Sequence, residues 1–103
     1  MRIMFVRLVF GKVQTNKMEE IRGWYQTEDV PAMKNQKGLR MLLFLESVDS
    51  PDEAVSLSIW DSKEDAEAWE KSGPYKELVK KAMLLLAEES KSKSYAVTVV
   101  HQA

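Results

Sequence analysis

The stretch Ile59–Met83, IWDSKEDAEAWEKSGPYKELVKKAM, decides the fold. It leaves a strand at Trp60, starts a helix at Ser62, breaks at Gly73-Pro74 and enters a second helix. Ser62 is a helix-capping residue, and Glu64 and Asp65 follow in the first turn. A hydroxyl satisfies the free N–H groups there, and acids favour the positive end of the helix dipole. Gly73 reads as the stop of this helix, and Pro74 as a first-turn residue of the next. Tyr75, Leu78, Val79, Ala82, Met83, Leu85 and Leu86 then form a wide apolar stripe at helical spacing. Such a pair of helices needs a sheet to cover.

That sheet lies on both sides of the stretch. Residues 54–60, AVSLSIW, alternate: Val55, Leu57 and Ile59 face one way, and Ser56, Ser58 and Trp60 the other. Residues 39–48, LRMLLFLESV, are a second strand, joined to the first by DSPDEA as a type I turn. The two predict an antiparallel hairpin. Residues 2–10 read as a strand with Ile3, Phe5, Arg7 and Val9 on one face and Met4, Val6, Leu8 and Phe10 on the other. A helix follows, with Asn16 and Glu19 as a capping box and Met18, Ile21, Trp24 and Tyr25 as its apolar positions. It is expected to end at Val30-Pro31. SKSKS closes the last helix, and residues 94–101, SYAVTVVH, are the final strand.

The order strand, helix, strand, strand, helix pair, strand predicts an α+β fold. It is the ferredoxin-like split βαβ, a four-stranded antiparallel sheet with helices on one face. The first two strands are apolar on both faces, so a lone chain would leave an apolar sheet face in water. A second copy packed sheet to sheet in a homodimer removes that face.

Composition narrows the function classes. The chain has 103 residues, 45% apolar and 30% charged, and a net charge of −1, which fits one domain over 1–103. No basic stripe supports nucleic-acid binding. There are no cysteines, so disulfides, thiolate metal sites and cysteine nucleophiles are out, and a reducing compartment fits. The opening MRIMFVRLVF is interrupted by Arg7 and reads as a strand rather than a signal peptide. No apolar run approaches the roughly 20 residues of a membrane span. The cytoplasm is the expected location.

The opening strand, Gly38-Leu39, the turn Ser50-Pro51-Asp52-Glu53, the helix start Trp60-Asp61-Ser62-Lys63-Glu64-Asp65-Ala66 and Ser72-Gly73-Pro74-Tyr75 together resemble the antibiotic biosynthesis monooxygenase family, within the dimeric α/β-barrel superfamily. The resemblance covers nearly the whole chain in element order. It implies a homodimer whose two sheets form a barrel, with a pocket between each sheet and its own helices. It also implies either cofactor-independent oxygenation of phenols, quinols or polyketides, or binding and degradation of haem. The haem branch resembles this chain only at Trp69. Arg7 stands where that branch has a first-strand asparagine, and Val79 where it has the iron-ligating histidine.

Arg7 is the most informative residue. In a central strand it either points into a pocket, where it would stabilise a phenolate, or pairs with an internal acid, or snorkels to the sheet edge. Trp69 stacks on a planar substrate or fills the core. Tyr75 donates to a substrate oxygen or sits at the core edge. Tyr25 is preferred over Trp24 as the inward residue and would close the pocket. Trp60 is expected at an element junction or the dimer contact, and His101 near a fraying end. Met33, Met41 and Met83 are candidate pocket wall. No catalytic triad, phosphate loop or metal-ligand cluster appears, so no metal or cofactor is expected. The resulting expectation is a cofactor-independent monooxygenase on a small aromatic phenol, quinol or polyketide-like compound, with Arg7 catalytic and Trp69, Tyr75 and Tyr25 binding the ring. The alternative is a non-catalytic dimeric module that binds a small ligand.

Overall fold

The computed structural model describes residues 3–103. The elements run β1 (Phe5–Lys12), α1 (Met18–Trp24), a wide π turn (Tyr25–Asp29), α2 (Val30–Met33), β2 (Leu39–Glu46), β3 (Glu53–Trp60), α3 (Lys63–Glu70), α4 (Gly73–Met83) and β4 (Lys91–Ala96). The strands form one antiparallel sheet in the order β2-β3-β1-β4, the ferredoxin-like arrangement. β1 is therefore interior, as its apolar character on both faces requires.

Register assigns the faces. Arg7 lies opposite Ser58, Val9 opposite Ser56, and Gly11 opposite Ala54. These residues face the helices, because Ala54 packs with Ile21, and Trp60 with Met33, Ala66 and Trp69. Val55, Leu57 and Ile59 therefore share the opposite face with Val6, Leu8 and Phe10 of β1 and with Met41, Leu43 and Leu45 of β2. Helices do not cover that face, and Met41, Leu43 and Leu45 are exposed on it. Trp60 sits at the junction of β3 with α2 and α3, not at an outer contact. It is 1% exposed in the core, and its indole N–H donates to Ser58 Oγ at 2.9 Å.

Several local expectations need correction. Asn16 is not a cap: its φ is +68°, it serves as a turn residue, and Lys17 stands at the cap position without a side-chain bond. Asparagine tolerates this left-handed conformation better than most residues. The first helix does not stop at Pro31. It widens into the π turn, where the Val30 N–H bonds the Tyr25 carbonyl, and runs on as α2 to Met33. Proline lacks an N–H and crowds the carbonyl four residues back, and the wider turn just before it accommodates both defects. Gly73 does not end α3. It begins α4, which Ser72 caps by accepting from the Tyr75 N–H at 3.3 Å. Gly38 does need to be glycine. Its φ is +83°, and a Cβ there would collide with the Asp65 carboxylate, which is buried rather than solvated.

The last strand is also displaced. It is Lys91–Ala96, not 94–101. After α4 the chain is anchored beside the end of β1: Leu86 bridges Val13, and the Ala87 N–H bonds the Lys12 carbonyl at 2.7 Å. From that anchor β4 starts opposite Phe10 and finishes opposite Phe5. Chain connection, not β-propensity, sets this register. The Lys-rich composition suits an edge strand. The apolar residues Val99 and Val100 lie beyond it and are exposed.

Candidate active site

Two buried clusters pin the helices to the sheet at opposite ends. One holds Met33, Trp60, Ala66 and Trp69; the other holds Val13, Ile21 and Ala54. Between them the layers part around a cavity of about 180 Å³. Sequence explains the gap. The sheet floor there includes Gly11, Ser56, Ser58 and Ser92, all small. The far wall is α4, which presents Leu78, Val79, Ala82 and Met83 to the cavity yet has no fully buried residue.

Arg7 rises from the floor. Its Nη2 donates to Glu70 Oε1 at 2.5 Å, and both side chains are about three-quarters buried. Arg7 thus lines the cavity and pairs with an internal acid at once. The pair leaves the Arg7 Nε–H over. Among the described residues this buried donor has no acceptor, and neither does the indole N–H of Trp24, also in the lining. Unmatched buried donors are costly.

A stripe of four residues runs along the first helix: Ile21, Tyr25, Asp29 and Met33, all buried. It lies alongside Ala54, Ser56, Ser58 and Trp60 of β3. Ile21 meets Ala54, the Tyr25 hydroxyl bonds Ser56 Oγ at 3.0 Å, and Met33 meets Trp60. By this progression Asp29 falls level with Ser58, whose neighbour in β1 is Arg7. Steps of four normally drift around an α-helix, and the π turn keeps these residues on one face.

Burial dominates the electrostatics. It pushes the Asp29 carboxyl up to about 6. It also raises Glu70, with the Glu67 charge adding and the Arg7 charge opposing. An ion pair and a raised carboxyl coexist here because desolvation outweighs the pairing. Tyr75 is raised by burial first and then by Glu70, with Asp29 adding and Arg7 opposing, so it stays a phenol and a donor. Burial raises Tyr25 well above its ordinary value, outweighing its Ser56 bond.

Trp69, Tyr75 and Tyr25 all line the cavity with Arg7. The Trp69 and Tyr75 rings meet edge to face, centroids 5.9 Å apart at 82°. Tyr25 is buried between Phe44 and Ser56, and Trp24 joins the wall beside it. Met33 and Met83 are in the lining, whereas Met41 is on the open sheet face. His101 is exposed on the C-terminal segment, outside the lining. The sequence reading did not single out Asp29 or Glu70. A signal for Asp29 existed, since it sits four residues after Tyr25 and four before Met33. Among the described residues no group of three or more His, Asp or Glu is placed to hold a metal ion, and no helix is long and apolar enough to cross a membrane.

No curated protein matches the sequence. Solved structures do. A Nitrosomonas europaea protein named as a candidate antibiotic biosynthesis monooxygenase is 22% identical with a TM-score of 0.81, over 94% of this chain and 92% of that one. A conserved protein from Methanosarcina mazei is 14% identical with a TM-score of 0.82, over 91% and 92% of the two chains. A heme-degrading protein from Mycobacterium tuberculosis is 14% identical with a TM-score of 0.77, over the full length of both. At these identities the likeness establishes the fold. Residues 4–81 match the sequence pattern of the antibiotic biosynthesis monooxygenases. With that match over most of its length, the chain belongs to the antibiotic biosynthesis monooxygenase family.

Proposed function

We propose that the cavity takes a single-ring phenol or quinol and that the protein is a cofactor-independent monooxygenase. The observation that carries this reading is Arg7: a guanidinium set in an apolar cavity with a buried, unmatched Nε–H. In such a site fixed positive charge acts strongly on an oxyanion. A phenolate held there is electron-rich enough to donate to dioxygen. One oxygen atom enters the ring and the other leaves as water. The ring gives up the electrons by becoming a quinone, so no outside reductant is required. Trp69 and Tyr75 would hold the ring, Tyr25 would close the cavity, and the apolar walls would exclude water from the anion. Size favours one ring over a polyketide-like polycycle. A cavity of roughly 150 Å³ is known to take up benzene, and this one is about 180 Å³.

Haem fits poorly as a ligand. Val79 lines the cavity and offers no donor to iron. The Arg7–Glu70 pair favours a second reading, a binding module in which the guanidinium is already occupied. Oxygen uptake separates the two. With a panel of hydroquinones and substituted phenols, the oxygenase consumes oxygen above autoxidation. A binding module quenches tryptophan fluorescence with the same compounds and consumes none.

A homodimer is part of the proposal. The open face carries Leu57 and Ile59 at its centre and exposed Met41, Leu43 and Leu45 at one edge. A second copy of the same face would cover it. Leu43→Glu is expected to turn a dimer into a monomer in sedimentation velocity, at little cost to the fold because Leu43 is exposed in one chain. A wild type that sediments as a monomer would refute the dimer.

A further inference from the structure

We propose that Asp29 is the proton acceptor of this site, taking the hydroxyl proton of the bound ring while Arg7 holds the resulting oxyanion. The inference rests on the phenol-binding reading and adds a residue to it. Four observations place Asp29 for this work. It is 8% exposed and lines the cavity. Its carboxylate takes part in no hydrogen bond or ion pair among the described residues. It sits on the π turn, held by buried neighbours Tyr25 and Met33 one step either side. Its charge and that of Arg7 both act on Tyr75, which lines the cavity with them. An unpaired buried carboxylate is expensive to maintain, and structural packing alone gives no reason for one.

The charged and titratable groups around it have other tasks. Arg7 of β1 and Glu70 of α3 form the ion pair. Tyr75 of α4 is close enough to feel Arg7, Glu70 and Asp29 together, and it remains protonated. Tyr25, on the same turn, is bonded to Ser56. The neighbouring Glu28 points outward to Lys81. Glu70 is the competing base, but it faces Arg7, and a proton taken there would break the pair that positions the guanidinium. Asp29 can accept one without disturbing any bond. The step balances: the phenol O–H breaks, the electron pair stays on oxygen, and the proton forms an O–H on the Asp29 carboxyl. No redox change occurs until dioxygen arrives. Burial supports the role, since a carboxyl pushed up to about 6 is ionised at neutral pH yet basic enough to take a proton.

The test pairs two measurements on wild type and Asp29→Asn. The first is kcat/KM against pH for a single-ring phenol. Wild type should rise through a limb near pH 6. The variant should lose that limb, fall by roughly 10²–10⁴-fold at pH 7, and recover as the pH approaches the phenol's own ionisation. A variant with an unchanged limb overturns the proposal. The second uses 4-nitrophenol, a dye that is yellow when ionised, bound under nitrogen so that no turnover occurs. At pH 6.5 the bound dye should be less yellow on wild type than on Asp29→Asn, because a carboxylate beside the hydroxyl keeps the shared proton between the two oxygens and its loss leaves only Arg7 to favour the phenolate; binding is followed separately by tryptophan fluorescence. A dye equally coloured on the two proteins puts Asp29 away from the hydroxyl and overturns the proposal. Dye that binds neither protein removes the site and the proposal with it. A colour difference between the two proteins with no oxygen uptake by wild type keeps Asp29 beside the hydroxyl and removes the oxygenase.

Discussion

Arg7→Ala is expected to lower the oxygen-uptake rate on the best phenol by about 10²–10³-fold, the loss typical of removing one preorganised donor to an oxyanion. The chain should stay folded, because the guanidinium and its Glu70 partner are each partly exposed. Loss of Arg7 leaves Glu70 without the charge that opposes its burial, so its carboxyl rises further. The fall should lie mainly in kcat, since the anion develops on the way to the transition state and a neutral ring is held by Trp69 and Tyr75 in either protein. Arg7→Lys keeps a charge but lacks the Nε–H and the planar fork, so it should recover only part of the rate. Equal rates for wild type and Arg7→Ala would remove Arg7 from the chemistry and leave it as half of an internal ion pair.

The second large effect is on stability. Trp60→Ala is expected to cost about 3–5 kcal/mol, the usual range for deleting a large aromatic from a packed core. Trp60 is 1% exposed and lies among Met33, Ala66 and Trp69, which hold the first helix, α3 and β3 together. Against a typical total of about 5–15 kcal/mol this is a large fraction. The melting temperature should drop on the order of 20 °C. Trp60→Phe, which refills part of the space but gives up the bond to Ser58, should lose less than half as much. Differential scanning calorimetry separates these outcomes. A near-neutral Trp60→Ala would mean that the cluster around Met33 is not the core.

The architecture was legible because its signals are local. The alternation of AVSLSIW, the Ser50-Pro51 turn and the Ser62 cap each fix a short element, and element order then leaves few topologies. The face assignment was harder. β3 turns its aliphatic residues away from the helices, and its serines and Trp60 toward them. Periodicity reports that two faces differ but not which layer each one meets. The same limit hid the cavity. Ser56, Ser58 and Gly11 are small, but only register shows that they lie together beneath the gap. Arg7 was visible because a cation in an interior strand conflicts with its surroundings. Asp29 was not, because it follows Glu28 in what reads as a polar helix end before Pro31. The π turn that carries the helix past proline also turns Asp29 inward. The displaced last strand has a comparable cause. Its position depends on the anchor between Leu86 and Val13, sites 73 residues apart that no local pattern connects.

The measurement that bears most directly on oxygen insertion is turnover of a single-ring phenol under heavy-isotope dioxygen. The product would be trapped at once by reduction so that the label cannot exchange with water. One heavy oxygen atom per product molecule, with none from solvent and no accumulation of hydrogen peroxide, is the expected result. Unlabelled product with peroxide would make the protein a simple oxidase, and no product across the panel would make the cavity a binding site without chemistry.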